Sequence, residues 1–252
     1  MKPFITRMIA TGTLTAILIS PAFAFAAPSD TPKVKGDGSK FCNNIQTINT
    51  RKLTNLDEKI TKIHDTWSTK MSDLAAKRSE RDATRAANRS AHLDKRTTQY
   101  DKLDAMATTE AQHAAVAAFK TAVNAAIATR IAAVDAAIAT FRSGNDALHT
   151  SRKASVDAML TTYKTAIQSA IDQAKSDCAA GVAPATAKAT FDAKLQAARD
   201  ALKTSRQALD TKPQIEALST ARKAAIDTAI TNFKTAVEAA RTALKAAFPK
   251  GN

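Results

Sequence analysis

The sequence predicts an all-α protein, an elongated antiparallel bundle of long helices with eleven-residue repeats. Three observations predict it. About one residue in five is Ala, while Gly and Pro number only 6 and 7 among 252 residues, a composition that suits long helices better than a compact globule. Apolar residues recur every eleven positions, which a strand has no means to sustain. The two cysteines stand where a folded-back pair of helices brings them level.

The N-terminus reads as an export signal. Lys2 and Arg7 form a positive n-region, an uncharged stretch from Met8 to Ser20 follows, and Ala24-Phe25-Ala26 gives the small-x-small pattern of a cleavage site. The reading is a signal peptide over 1–26. A retained anchor is the alternative, because the uncharged run approaches the length of a span; Pro21 and the threonines weigh against it. No other segment reads as apolar enough to cross a bilayer. Residues 27–40 are rich in Pro, Gly, Ser, Asp and Lys and predict a flexible linker.

The bundle is expected over 41–250. Its first helix, about 41–107, carries the period as Ile45, Leu56, Trp67, Arg78, Arg89 and Tyr100. The second, about 109–179, opens on Thr109-Glu110-Ala111-Gln112, which fits a capping box. Three tracks run along it: Val116, Ile127, Ile138, His149, Leu160, Ile171; Val123, Val134, Asn145, Val156, Ile167, Cys178; and Phe119, Arg130, Phe141, Arg152, Tyr163, Ala174. Eleven residues in three turns is about 3.67 per turn, so the helices should be nearly straight, with at most a slight right-handed supercoil. Gly144-Asn145 resembles a turn pair, yet the tracks pass through it in phase, and a continuous helix is expected there. Gly181 and Pro184 mark a stop. A third helix is expected at about 186–210. Thr211 and Pro213 suit a cap and first turn, and a fourth helix, about 213–248, repeats as Ile215, Ile226, Val237 and Phe248.

One module recurs. Arg130, Arg152 and Arg222 are each followed by a β-branched residue and Asp at +4 and +5, then by an aromatic and a base at +11 and +12. Phe119-Lys120-Thr121-Ala122-Val123 returns unchanged at 233–237, which marks internal duplication.

If the first two helices fold back on each other, facing residues have numbers that add to about 218, and Cys42 with Cys178 gives 220. The hairpin and a Cys42–Cys178 disulfide therefore support each other, in keeping with an oxidising compartment.

The formal net charge is +14, or +12 once Lys2 and Arg7 are removed. Such a balance favours anionic partners, or simply solvates long helices. The sharpest candidate for anion binding is Lys77, Arg78, Arg81, Arg85, Arg89, Lys95 and Arg96, whose arginines follow helical spacing. Against it, Glu80, Asp82 and Asp94 lie among them, and the hairpin register places Arg85 near Asp135. Arg130 and Arg152 sit between aromatics, where they stack on a ring, hold register in a polar layer, or snorkel to water.

The four histidines, His64, His92, His113 and His149, match no metal-ligand spacing, and no Gly-rich phosphate loop, CxxC or GxSxG occurs. No enzyme, cofactor, metal or small-molecule substrate is expected. Trp67 reads as a core residue on its apolar track, and His149 as the filling of a core edge.

With its N-terminal signal, Phe41-Cys42, Ala-rich eleven-residue repeats and Asp177-Cys178-Ala179-Ala180-Gly181-Val182, the chain resembles uncharacterised exported Ala/Lys-rich, coiled-coil-like helical proteins of candidate-phylum bacteria. The resemblance implies a bacterial envelope setting and carries no activity.

Three functional classes follow. The first is an exported, non-enzymatic structural or interaction protein of the cell envelope or extracellular space, a rod-like spacer or adhesive that meets a protein partner or itself. The second is a polyanion binder for nucleic acid, anionic glycopolymer or lipid headgroups at a membrane surface. The third is a stress-protective amphipathic protein, because such repeats are similar to late-embryogenesis-abundant proteins; the aromatics, the disulfide and the in-register hairpin argue instead for a folded rod.

Overall fold

The computed structural model describes residues 39–248. The signal peptide over 1–26 and nearly all of the 27–40 linker lie outside the described residues. The fold is all-α: α1 Ser39–Met106, α2 Glu110–Ala179, α3 Pro184–Gln207 and α4 Lys212–Ala247. α1 and α2 form the hairpin, and α3 and α4 run back along α2 end to end. At ~1.5 Å per residue, the 68 residues of α1 and the 70 of α2 each span about 100 Å.

The boundaries follow local chemistry. At the α1–α2 turn the capping box forms: the Thr109 hydroxyl accepts from Gln112 N–H at 3.2 Å, and Gln112 Oε1 accepts from Thr109 N–H at 3.3 Å. This satisfies two donors that the helix start leaves free. α2 ends in a Schellman motif, with Val182 N–H donating to Asp177 C=O at 3.0 Å and Gly181 N–H to Cys178 C=O at 3.2 Å. Gly181 takes φ of 75°, where a Cβ would be strained. The break before α4 comes as expected, but not through the Thr211 hydroxyl, which makes no capping bond. Asp210 accepts from Lys212 N–H at 2.9 Å instead. Asp reaches a backbone N–H two residues on as an Asx turn, and that geometry takes the capping role.

All three α2 tracks face inward: each of their residues is buried or half-buried. Helix α2 also runs unbroken through Gly144-Asn145. Asn145 is buried and donates to Phe141 C=O one turn back at 2.9 Å, which satisfies its amide N–H inside the helix. A Cβ on Gly144 would stand 2.7 Å from Leu218 Cδ2 of α4, so this glycine marks a close approach of the two helices.

Cys42 and Cys178 form the disulfide at the open end, with Cα atoms 5.6 Å apart. Asp57 with Lys164 and His64 with Asp157 still give 221, and the value rises nearer the turn. For Arg78 with Asp146, Asp82 with Arg142, and Arg89 with Asp135 the numbers add to 224. Side chains lean toward the N-terminus of their own helix. In an antiparallel pair both partners lean past the level of their Cα atoms, which raises the sum for long side chains and not for cysteines. Asp135 therefore bonds to Arg89, one turn beyond Arg85, whose charge still acts on Asp135 as backbone register expects.

The two ends of the rod differ. Toward the disulfide, Phe41 and Ile45 of α1, Ile167, Ala170, Ile171 and Ala174 of α2, and Ala187, Phe191 and Leu195 of α3 close an apolar core. Val156, Met159 and Leu160 extend it, with Ile60, Ile63, Leu202 and Leu209 at its edge. Toward the turn, α2 packs closely on α4, while no α1 Cα comes within 8 Å of an α4 Cα. Close approach through Ala is thus a property of α2 with α3 and α4, while toward the turn α1 meets α2 through long polar side chains.

One sequence expectation is corrected. α2 contains a window apolar enough, by length and composition, to cross a membrane, with a mean hydropathy of 1.4 and 22% of it buried. Its apolarity comes largely from alanines, which raise mean hydropathy while burying little area each.

Candidate functional site

The candidate residues of α1 lie on a polar seam against α2. Arg78 makes a forked pair with Asp146 at 2.8 and 3.0 Å. Arg142 of α2 makes the mirror arrangement with Asp82 of α1 at 2.6 and 2.9 Å, and Arg85 joins the same carboxylate at 2.6 Å. Arg89 forks onto Asp135 at 2.7 and 3.0 Å. The forks set register, because two parallel N–H···O bonds fix direction as well as distance. Their aspartates are 43–53% exposed, so each contributes roughly 0–1 kcal/mol.

The electrostatics follow from these contacts. The hydrogen bonds from Arg142 hold the Asp82 carboxyl down at about 2 against the opposing effect of desolvation, with the Arg142 and Arg85 charges and the Arg85 hydrogen bond adding to the lowering. Arg89 lowers Asp135 in the same way. In return Arg89 and Arg142 hold their protons more tightly, through hydrogen bonds to Asp135 and Asp82. At Asp157 burial opposes ionisation, but Lys153 and His64, at 2.6 and 2.8 Å, outweigh it. His149, edge-on to Trp67 with centroids 5.9 Å apart, is pushed toward its neutral form by burial.

The seven candidate residues therefore do not share one basic face. Arg78 and Arg89 each have a carboxylate of their own, while Arg85 shares Asp82 with Arg142. Lys77 and Lys95 are exposed. Arg81 and Arg96 are half-buried and have no carboxylate within 4.0 Å among the described residues.

Arg130 and Arg222 complete the picture. The Arg130 guanidinium lies over the Phe233 ring at 4.3 Å, and Arg222 over Phe141 at 4.0 Å. Of the three fates open to Arg130, ring stacking is the one seen. Arg152 instead has its Nε buried without an acceptor. The sequence contained the signal for Phe141, Arg222 and Phe233: Arg and Phe are eleven apart in both copies, so two copies set antiparallel must exchange Arg for Phe at both ends. The missing step was the pairing of α2 with α4.

Among the described residues, no group of three His, Cys, Asp or Glu side chains comes together to hold a metal ion. No protein-family model, curated protein or solved structure matches the chain.

Proposed function

We propose that the chain is an exported, non-enzymatic rod of the bacterial cell envelope or extracellular space, acting as a spacer or adhesive through a protein partner or a second copy. The observation that carries this reading is the hairpin of 68- and 70-residue arms tied at the open end by Cys42–Cys178. A disulfide that closes a sequence separation of 136 residues fits an oxidising compartment. The pairing of Arg78 with Asp146 and of Arg89 with Asp135 also supports it, because these two charges are spent on holding register rather than offered outward. A spacer requires length, stiffness and locked ends, and α1 and α2 supply all three.

Two measurements test the reading. Small-angle scattering of residues 27–252 under non-reducing conditions should give a maximum dimension of about 100 Å, from ~1.5 Å per helical residue. Fractionation of cells that make the full chain should place it outside the cytoplasm, at the cell surface, in a periplasm-like space or in the medium. A compact particle, or a chain confined to the cytoplasmic fraction, would overturn the proposal.

A further inference from the structure

Among the described helices α4 packs on α2 alone, and one of its free faces carries an ordered stripe of charge. Glu216, Lys223, Asp227, Lys234, Glu238 and Lys245 alternate in sign at steps of seven and four residues. At ~3.6 residues per turn they fall within about 60° of one another, on a single face. All six are exposed. Lys223 bonds Asp227 one turn away at 2.8 Å, and Glu216 and Glu238 have looser partners on the same helix, Lys212 at 3.8 Å and Arg241 at 3.7 Å. A carboxylate takes more than one cation, as Asp82 does with Arg142 and Arg85, so these acids keep room for another. Lys234 and Lys245 have no carboxylate within 4.0 Å among the described residues.

The internal duplication shows what such a face does. With Arg130 matched to Arg222 and Phe141 to Phe233, Asp135, Arg142 and Asp146 of α2 fall on Asp227, Lys234 and Glu238 of α4, sign for sign. Those three α2 residues are the ones that pair with Arg89, Asp82 and Arg78 of α1. Helix α2 therefore uses this pattern to hold an antiparallel helix. Helix α4 repeats the pattern, and among the described residues no helix lies on it. The α1 of another copy does not suit the place, because its matching charges are already spent on its own α2.

We propose that the α4 stripe is a homodimer surface, on which α4 of a second copy lies antiparallel. The stripe is complementary to itself. Glu216 faces Lys245, Lys223 faces Glu238 and Asp227 faces Lys234, and in every pair the numbers add to 461. One two-fold axis between residues 230 and 231 thus makes each opposite-charge pair twice, the isologous arrangement of a symmetric dimer. Equal numbers of each sign suit a second copy rather than a polyanion. Exposed pairs are individually weak, so the dimer is salt-sensitive and its register comes from the whole stripe. The Arg130–Phe233 and Arg222–Phe141 contacts set the axis level with Ala132 and Ala133 of α2. From there to the end of α2 is about 70 Å at ~1.5 Å per residue, so two overlapped rods reach about 140 Å. The proposal names the second copy that the rod reading leaves open, and rests on that reading for two straight bodies lying side by side.

Sedimentation velocity of the oxidised chain at low salt, at concentrations up to ~1 mM, the weak end of specific association, should show a monomer–dimer equilibrium. Raising the salt to ~0.5 M should weaken it at least about tenfold. Lys234→Glu and Asp227→Lys each set like charges against one another on both sides of the axis. Either alone should weaken the dimer at least about tenfold with unchanged circular dichroism. Mixed one to one, the two variants again bring opposite charges together in both pairs, and association should return to the parent's strength. Lys223→Glu with Glu238→Lys makes a second such mixture. Lys203→Glu makes the same change of charge at an exposed position of α3, and should alter the strength by no more than about twofold. A chain that stays monomeric throughout, failure of both mixtures to recover, or an equal loss in Lys203→Glu would overturn the dimer. Small-angle scattering separates this from the rod reading. Growth from about 100 Å at dilution to about 140 Å supports both, a constant ~100 Å ends the dimer and leaves the rod, and a compact particle ends the rod.

Discussion

Cys42 and Cys178 meet across the open end of the hairpin with Cα atoms 5.6 Å apart, although 136 residues separate them in sequence. The bond sits beside the apolar core of Phe41, Ile171, Ala174 and Phe191, so it ties down the end where burial is deepest. Closing so long a loop removes denatured-chain entropy worth roughly 4–5 kcal/mol in the chain-entropy model, and real values often fall below that. Cys42→Ser with Cys178→Ser should therefore lower unfolding stability by about 2–4 kcal/mol. Urea melts of the variant and the oxidised chain check this, and an unchanged midpoint would mean that the bond constrains nothing in the unfolded chain.

Much of this fold was legible because helical periodicity is local. The inward face of α2, the Thr109 cap and the Cys42–Cys178 pairing follow from spacing alone. Arg89 opposite Asp135 did not, because backbone register ignores the lean of side chains and misplaces long ones by a turn. Asp210 as the cap before α4 was missed because Thr211 offers the same kind of oxygen one residue later. The division of the basic stretch into paired and unpaired arginines was illegible, since it depends on which aspartates of α2 fall within reach.

The seam should make stability depend on pH in one direction. Asp82, Asp135 and Asp157 have folded pKa values below their unfolded ones. Their contribution is complete above the ordinary carboxylate range near ~4 and is lost as pH falls through the folded values, near 2 for Asp82. His149 is also lowered, by burial and by Arg78 and Arg152 against the opposing pull of Asp146. The unfolded chain therefore takes up that proton first, and stability falls as pH drops through ~6.5. Unfolding free energy should rise from pH 2 to 7. Asp82→Asn should flatten the acid limb between 4 and 2 and cost about 0.5–1 kcal/mol at neutral pH. Denaturant melts across that range check both, and an acid limb as steep as the parent's would count against the Arg142–Asp82 fork.

The exchange of Arg130–Phe233 for Arg222–Phe141 is what two antiparallel copies of one module produce. Residues 130–141 and 222–233 share Arg, Asp and Phe at first, sixth and last positions. In α2 the Asp of this module meets Arg89 of α1, and in α4 it meets Lys223 of its own helix. Ile131 has become Lys223 at the matching place, so α4 presents water with the face that α2 gives to α1. Phe233→Leu and Phe141→Leu keep apolar bulk while removing the ring. Each should cost about 0.5–1 kcal/mol, the range of a partly exposed cation–π contact. The two losses should be similar, and Arg130→Gln should add little on top of Phe233→Leu. A double-mutant cycle with no coupling would reduce the pairing to packing alone.

Gly144 decides how closely α2 and α4 approach. In a helix interior Ala is favoured over Gly by roughly 1 kcal/mol, yet a Cβ there would stand 2.7 and 2.9 Å from the two Leu218 methyls. Those methyls end a flexible, half-buried side chain, so Leu218 can turn aside at modest cost. Gly144→Ala should then leave stability within about 0.5 kcal/mol of the parent, because propensity offsets most of the displaced packing. Gly144→Val adds two further methyls to the same close approach and should cost about 1–3 kcal/mol. If Leu218 is the obstacle, Leu218→Ala should turn Gly144→Ala into a net gain approaching the full helix-propensity difference. Thermal melts of the single and double variants measure this, and a Gly144→Ala penalty that persists in the Leu218→Ala background would place the contact elsewhere.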